Sequence, residues 1–229
     1  MPDTESRIIK FPVSRSLGII SLRGVDNPKE WIEFADARGE IVIPSNRDVD
    51  LRVSNEAMSD LSPLSSLEAD DLQELSIICS RRIFKDTQLR HIENLTGLKG
   101  LALFETETGD VAFSRLSGLN NLRWLDIGDT QITDEGLAFI QGMSELEELA
   151  LLNTRVSSAC LHLFKKLRKL KRLDLMGTKV DDSGFEILAA LKSLEDLRIV
   201  NTGISFPVFA RLQIALPNCQ ISYYQRDRI

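Results

Sequence analysis

One arrangement recurs along this chain and leaves few folds open. In register the segments read LQELSIICS at 72–80, LKGLALFET at 98–106, LRWLDIGDT at 122–130, LEELALLNT at 146–154, LKRLDLMGT at 170–178 and LEDLRIVNT at 194–202. From residue 98 onward the spacing is a strict 24 residues. A weaker copy, DVDLRVSNE, stands at 48–56, and NCQISY at 218–223 carries only the strand part. A fixed period of this length is the mark of a solenoid, because one unit cannot cover its own apolar face and stacked units can.

Each unit has the same parts. LxxLxL alternates and predicts a short strand with one buried face. A Thr column follows (Thr106, Thr130, Thr154, Thr178, Thr202), suited to satisfying backbone groups of a turn. Then come an apolar residue and a helix-capping one: Thr133, Ser157, Asp181 or Ser205. Apolar residues three apart, such as Leu161, Phe164 and Leu167, predict a helical return. Stacking brings the strands side by side, roughly 4.8 Å apart, in one parallel sheet.

These residues carry a resemblance. The unit LxxLxLxxTx[IV]xDxG[LF] resembles the leucine-rich repeat family, in its bacterial subtype with Thr at the turn position. It implies an α/β solenoid, a horseshoe arc with a parallel β-sheet on the concave face and short helices on the convex face. The family uses one scaffold for many ligands, so the resemblance implies a binding protein without naming a partner.

The ends depart from the period. Residues 1–16 are polar and predict a flexible lead. Residues 17–47 read as an N-terminal cap. LGIISL at 17–22 matches the strand pattern as a degenerate repeat. Asn27-Pro28 predicts a helix to about Ala37 that ends at Gly39. EIVIP and VDLRV are close enough to predict a hairpin around SNRD. The repeat domain is then 48–223, followed by a tail at 224–229.

Chemistry is hard to place on this chain. The two histidines, His91 and His162, fall in convex segments of different repeats. CxxC, HExxH and glycine-rich phosphate loops are missing from the sequence. The expectation is a protein that is not an enzyme and has no cofactor and no metal. The net charge of −6 disfavours nucleic acid and anionic membrane. The basic run KKLRKLKR at 165–172 reads as a solvated helix end. Three scattered cysteines, and a start with no apolar leader, predict a cytoplasmic protein. No apolar run approaches the ~18–20 residues that span a bilayer.

Function is then expected on the open face of the sheet, where positions 3, 5 and 7 of LxxLxLxx form columns. Column 7 carries Ile78, Phe104, Leu152, Met176 and Val200, interrupted by Gly128. Trp124 stands in column 3, and Asp126, Arg172, Asp174 and Arg198 form a charged rim. An exposed apolar strip edged by charge suits a protein or peptide partner. Two arrangements of column 7 remain open: free to solvent, or tucked beneath its own turns. The alternative function is self-assembly through an uncapped C-terminal edge; the sequence favours a monomer.

Overall fold

The computed structural model describes residues 6–24, 27–78 and 84–224. Its main feature is a sheet of ten strands. Seven of them follow the repeat: β6 (Glu74–Ser76), β7 (Gly100–Ala102), β8 (Trp124–Asp126), β9 (Glu148–Ala150), β10 (Arg172–Asp174), β11 (Asp196–Arg198) and β12 (Gln220–Ser222). All run parallel, beginning from β5 (Arg47–Val53). Register follows the period, so Leu75, Leu101, Leu125, Leu149, Leu173 and Leu197 lie side by side, all buried. Each buried leucine contributes roughly 1.5–3 kcal/mol, and only because its neighbours are present. The fold is therefore the leucine-rich repeat solenoid that the period predicts.

The return segments are short and mostly 3₁₀. They include Asp86–His91, Gly136–Gly142 and Ser158–Lys166, with brief α-helices at Asp110–Phe113 and Phe185–Leu188. Among the described residues one helix is longer, Phe206–Ala215, with Pro207 in its first turn. Adjacent returns are stitched by a polar ladder. Thr133 and Ser157 donate through both N–H and hydroxyl to Asp110 and Asp134, at 2.5–2.8 Å. Ser205 N–H donates to Asp182 at 2.7 Å. Ser157 and Asp181 also cap their own segments, accepting from Ala159 and Ser183 N–H.

The turn after each strand has a fixed conformation. Glu105, Asp129, Asn153, Gly177 and Asn201, one period apart, all have positive φ between 52° and 69°. The next residue is the threonine, whose hydroxyl donates to the carbonyl three residues back. Leu103, Ile127, Leu151, Leu175 and Ile199 accept at 2.7–3.1 Å. The Thr column thus closes the turn, as its sequence position suggests.

The N-terminal region keeps the expected strands at LGIISL and EIVI but differs from the sequence expectation in their pairing and in two further elements. Residues Arg7–Lys10, expected to be a flexible lead, form β1, with Ile9 buried. LGIISL lies in β2 (Gly18–Gly24), which pairs antiparallel to β5 and so is no repeat. Leu17, Ile20 and Leu22 are buried as LxxLxL requires; burial is the same whichever way the strand runs. Asn27–Asp36 is β3, antiparallel to β2, and not a helix. Trp31, Ile32 and Phe34 suit a strand, a residue before proline favours extended backbone, and β2 would otherwise leave an open edge. EIVIP contributes β4 (Glu40–Ile43), which pairs with β1 and not with β5. Both edges of β5 are already taken, by β2 and β6. The cap is therefore all-β. Of the expected tail, residues 225–229 lie outside the described residues.

Candidate functional site

The open face is built by stacking. Trp124, Glu148, Arg172 and Asp196 form one row across β8 to β11, and Asp126, Ala150, Asp174 and Arg198 form the next. Together they line a concavity of about 310 Å³. It holds five of the expected site residues: Trp124, Asp126, Arg172, Asp174 and Arg198. Its charges are partly paired across one period. Arg172 bridges to Glu148, and Arg198 Nη1 lies 2.9 Å from Asp174 Oδ2. Asp174 Oδ1 accepts from Met176 N–H and Asp126 Oδ1 from Gly128 N–H, at 2.9 and 3.0 Å. Burial raises the Asp126 pKa, and the Asp174 and Asp129 charges push the same way.

Column 7 stands beside this concavity, not in it. Backbone bonding continues past the three-residue strands: Glu105 N–H donates to Gly128 O, Asn153 N–H to Met176 O, and Gly177 N–H to Val200 O. The column therefore belongs to the sheet ladder, and its side chains stand on the same face as columns 3 and 5. Phe104, Leu152, Met176 and Val200 are half-buried, while Ile78 is 50% exposed. At Gly128 the column carries no side chain; a Cβ there would lie 3.2 Å from each of Phe104 Cδ2, Leu152 Cβ and Asp126 Oδ1, so two apolar neighbours and a carboxylate border the gap.

Trp124 is tied down on its other side. Its indole occupies the space above Gly100, where any Cβ would overlap it. Burial raises the Glu74 pKa, and Arg23 and Trp124 oppose the shift. The indole separates the concavity from a second one of about 380 Å³, lined by Arg23, Asp48, Glu74, Lys99 and neighbours. There Arg23 bridges Asp48 at 2.9 Å and Glu74 at 3.1 Å, and Lys99 Nζ lies 2.9 Å from Asp48. Burial tends to raise the Asp48 pKa, but Arg23 and Lys99 outweigh it and leave it lowered. Asp50, 6% exposed and with no partner for its buried Oδ1, is pushed up to about 6, chiefly by burial and then by Glu74. This second cluster escaped the sequence reading because Arg23 comes from the cap, outside the repeat register. The one available signal was Gly100 beside Trp124 in column 3.

The remaining reactive groups are quiet. Burial pushes the Cys160 thiol up to about 12 and the Cys219 thiol to about 11, so both stay protonated near neutrality. Cys79 lies outside the described residues. His91 Nδ1 is 2.7 Å from Ser65 Oγ, and His162 donates to the Ala159 carbonyl of its own segment. Among the described residues, no group of three His, Cys, Asp or Glu side chains could hold a metal ion. No helix among them is long and apolar enough to cross a membrane. In the basic run, Lys169, Lys171 and Arg172 bridge to Glu145, Glu147 and Glu148 of the preceding repeat.

Comparison with known proteins agrees with the architecture. The Leucine Rich repeat family matches residues 118–140 and 166–189. An internalin C2 of Listeria monocytogenes is 26% identical, with 72% of this chain and 66% of that one covered, at a TM-score of 0.57. A second internalin from the same organism is 19% identical over 74% of this chain and 52% of that one, at a TM-score of 0.55, and shares the fold. Less than two thirds of either internalin is spanned. Among curated proteins none matches the sequence significantly. The chain has the leucine-rich repeat fold and is structurally similar to bacterial internalins.

Proposed function

We propose that the protein is a non-enzymatic interaction module that holds a protein or peptide partner on the open face of its sheet. Leucine-rich repeat domains generally serve as interaction modules. The observation that carries the assignment to this face is the partly exposed apolar column, alongside a charged concavity. Apolar contact supplies affinity, and the fixed charges beside it select the partner and its register. Ile78, Phe104, Leu152, Met176 and Val200 provide the first; Trp124, Asp126, Arg172, Asp174 and Arg198 border the second. Its setting in this reading is cytoplasmic. The double variant Phe104→Asp/Met176→Asp should lose the partners that the wild type recovers from native lysate, with an unchanged far-UV circular dichroism spectrum. Equal recovery by a folded variant would refute the reading.

A second reading, self-association through the outermost strand β12, has its own support. Phe206 is 65% exposed beside that edge and packs on Tyr223, at a ring-centroid distance of 6.4 Å, and Ile214 is 81% exposed. Light scattering separates the two readings. A molecular mass that stays monomeric across concentration removes the second.

A further inference from the structure

The concavity over Ala150 has an unbalanced charge. Its lining carries four carboxylates, Asp126, Glu148, Asp174 and Asp196, against two guanidinium groups, Arg172 and Arg198. Both guanidinium groups are already committed, to Glu148 and Asp174. Among the described residues, no cation lies within ion-pair distance of Asp126 or Asp196. Asp126 is largely removed from water all the same, and its one bond, from Gly128 N–H, occupies Oδ1. A desolvated carboxylate without a counter-charge is costly to keep.

The geometry offers room for the missing charge. Asp126 and Asp174 flank Ala150 in one row, so their backbones stand two strand spacings apart, about 9.6 Å. The residue between them is a methyl group, which leaves the gap unfilled. The backbone at Leu125, Leu149 and Leu173 floors the concavity, their side chains facing the core, and Trp124 walls it on the β8 side. The Ala150 methyl and the Trp124 ring, with acidic groups on either side, accommodate a long side chain that is aliphatic along its stem and cationic at its tip. A planar guanidinium can also meet carboxylates on two sides.

We propose that this concavity takes an arginine or lysine side chain from the partner segment, its charge held between Asp126 and Asp174 over Ala150. The inference rests on the open face being the binding surface and adds the chemistry of the partner: an extended segment carrying a basic anchor. Arg198, already on Asp174, sets the outer limit of the site. The partner's cation is then the counter-charge for Asp126.

The test titrates the isotopically labelled protein with N-acetyl-arginine amide and reads backbone amide shifts. The neutral citrulline analogue serves as the control at matched ionic strength. Saturable shifts centred on residues 126, 150 and 174 are expected, with at least about fivefold weaker binding of citrulline. Asp126→Asn keeps the Oδ1 that accepts from Gly128 and should weaken arginine binding by a similar factor. Equal binding of the two ligands, unchanged affinity in Asp126→Asn, shifts centred elsewhere, or no saturable shift would each overturn the inference. Failure here leaves the open-face reading standing, because that reading is decided separately by partner recovery with Phe104→Asp/Met176→Asp.

Discussion

The Trp124 indole lies over Gly100, in space that any side chain on Gly100 would have to share. One residue is small so that the other can occupy the space above it. Gly100→Ala should therefore expel the ring toward solvent. We expect a red-shifted Trp124 emission, read in a Trp31→Phe background, and a loss of about 1–3 kcal/mol in denaturant unfolding. Unchanged emission would show that the ring has another resting place.

Thr154 tests the turn column. Its hydroxyl donates to the Leu151 carbonyl at 2.7 Å within a buried turn. Thr154→Val keeps the shape and removes the donor, while Thr154 N–H still reaches the same carbonyl at 3.2 Å. The cost should be about 1 kcal/mol, visible as a lower urea midpoint with an unchanged slope.

Asn153 tests the backbone of the same turn, where φ is 52°. Asn153→Gly should be nearly neutral, because glycine enters this region without penalty. Asn153→Val should cost about 1–2 kcal/mol more than the glycine variant, since a branched side chain resists it. Equal midpoints for the two variants would rule out this conformation.

Asp50 predicts a pH dependence. Its pKa is raised from 3.8 to about 6, by burial first and by Glu74 next, with Arg52 and Arg23 opposing. The fold thus prefers the protonated acid. That contribution is fully present below the unfolded value and is lost as pH rises through about 6. Asp50→Asn stays neutral throughout, so its advantage over wild type should grow between about pH 4 and 7, to an order of 2 kcal/mol. A difference that does not vary with pH would contradict this.

The repeats were readable because their pattern carries phase. Once Leu101, Leu125 and Leu149 are aligned, columns 3, 5 and 7 follow, and five members of the concavity were found that way. The cap was not readable for the same reason. Leu17, Ile20 and Leu22 match LxxLxL, but alternation reports which side chains are buried and not which way the strand runs. Asn27-Pro28 offered a good helix start, and pairing with β2 overrode it. Neither the approach of Phe104 to Gly128 nor the salt bridge of Arg23 with Glu74 could be read from register, since each depends on side-chain direction or on a residue outside the period.

The polar stitching between coils also bears on how the chain assembles. Lys169 with Glu145, Lys171 with Glu147 and Arg198 with Asp174 each close a span of 24 residues. Each coil can therefore dock as soon as its predecessor exists, without waiting for a distant part of the polypeptide, so growth can proceed like a zip. The exception is the cap, where Arg7 Nη2 donates to Gln73 Oε1 across 66 residues. Closing that span costs about 0.9 kcal/mol more in loop entropy than closing one coil. Folding can thus start among the similar coils and finish at the unlike cap, whose long-span contacts are among the last to be fastened.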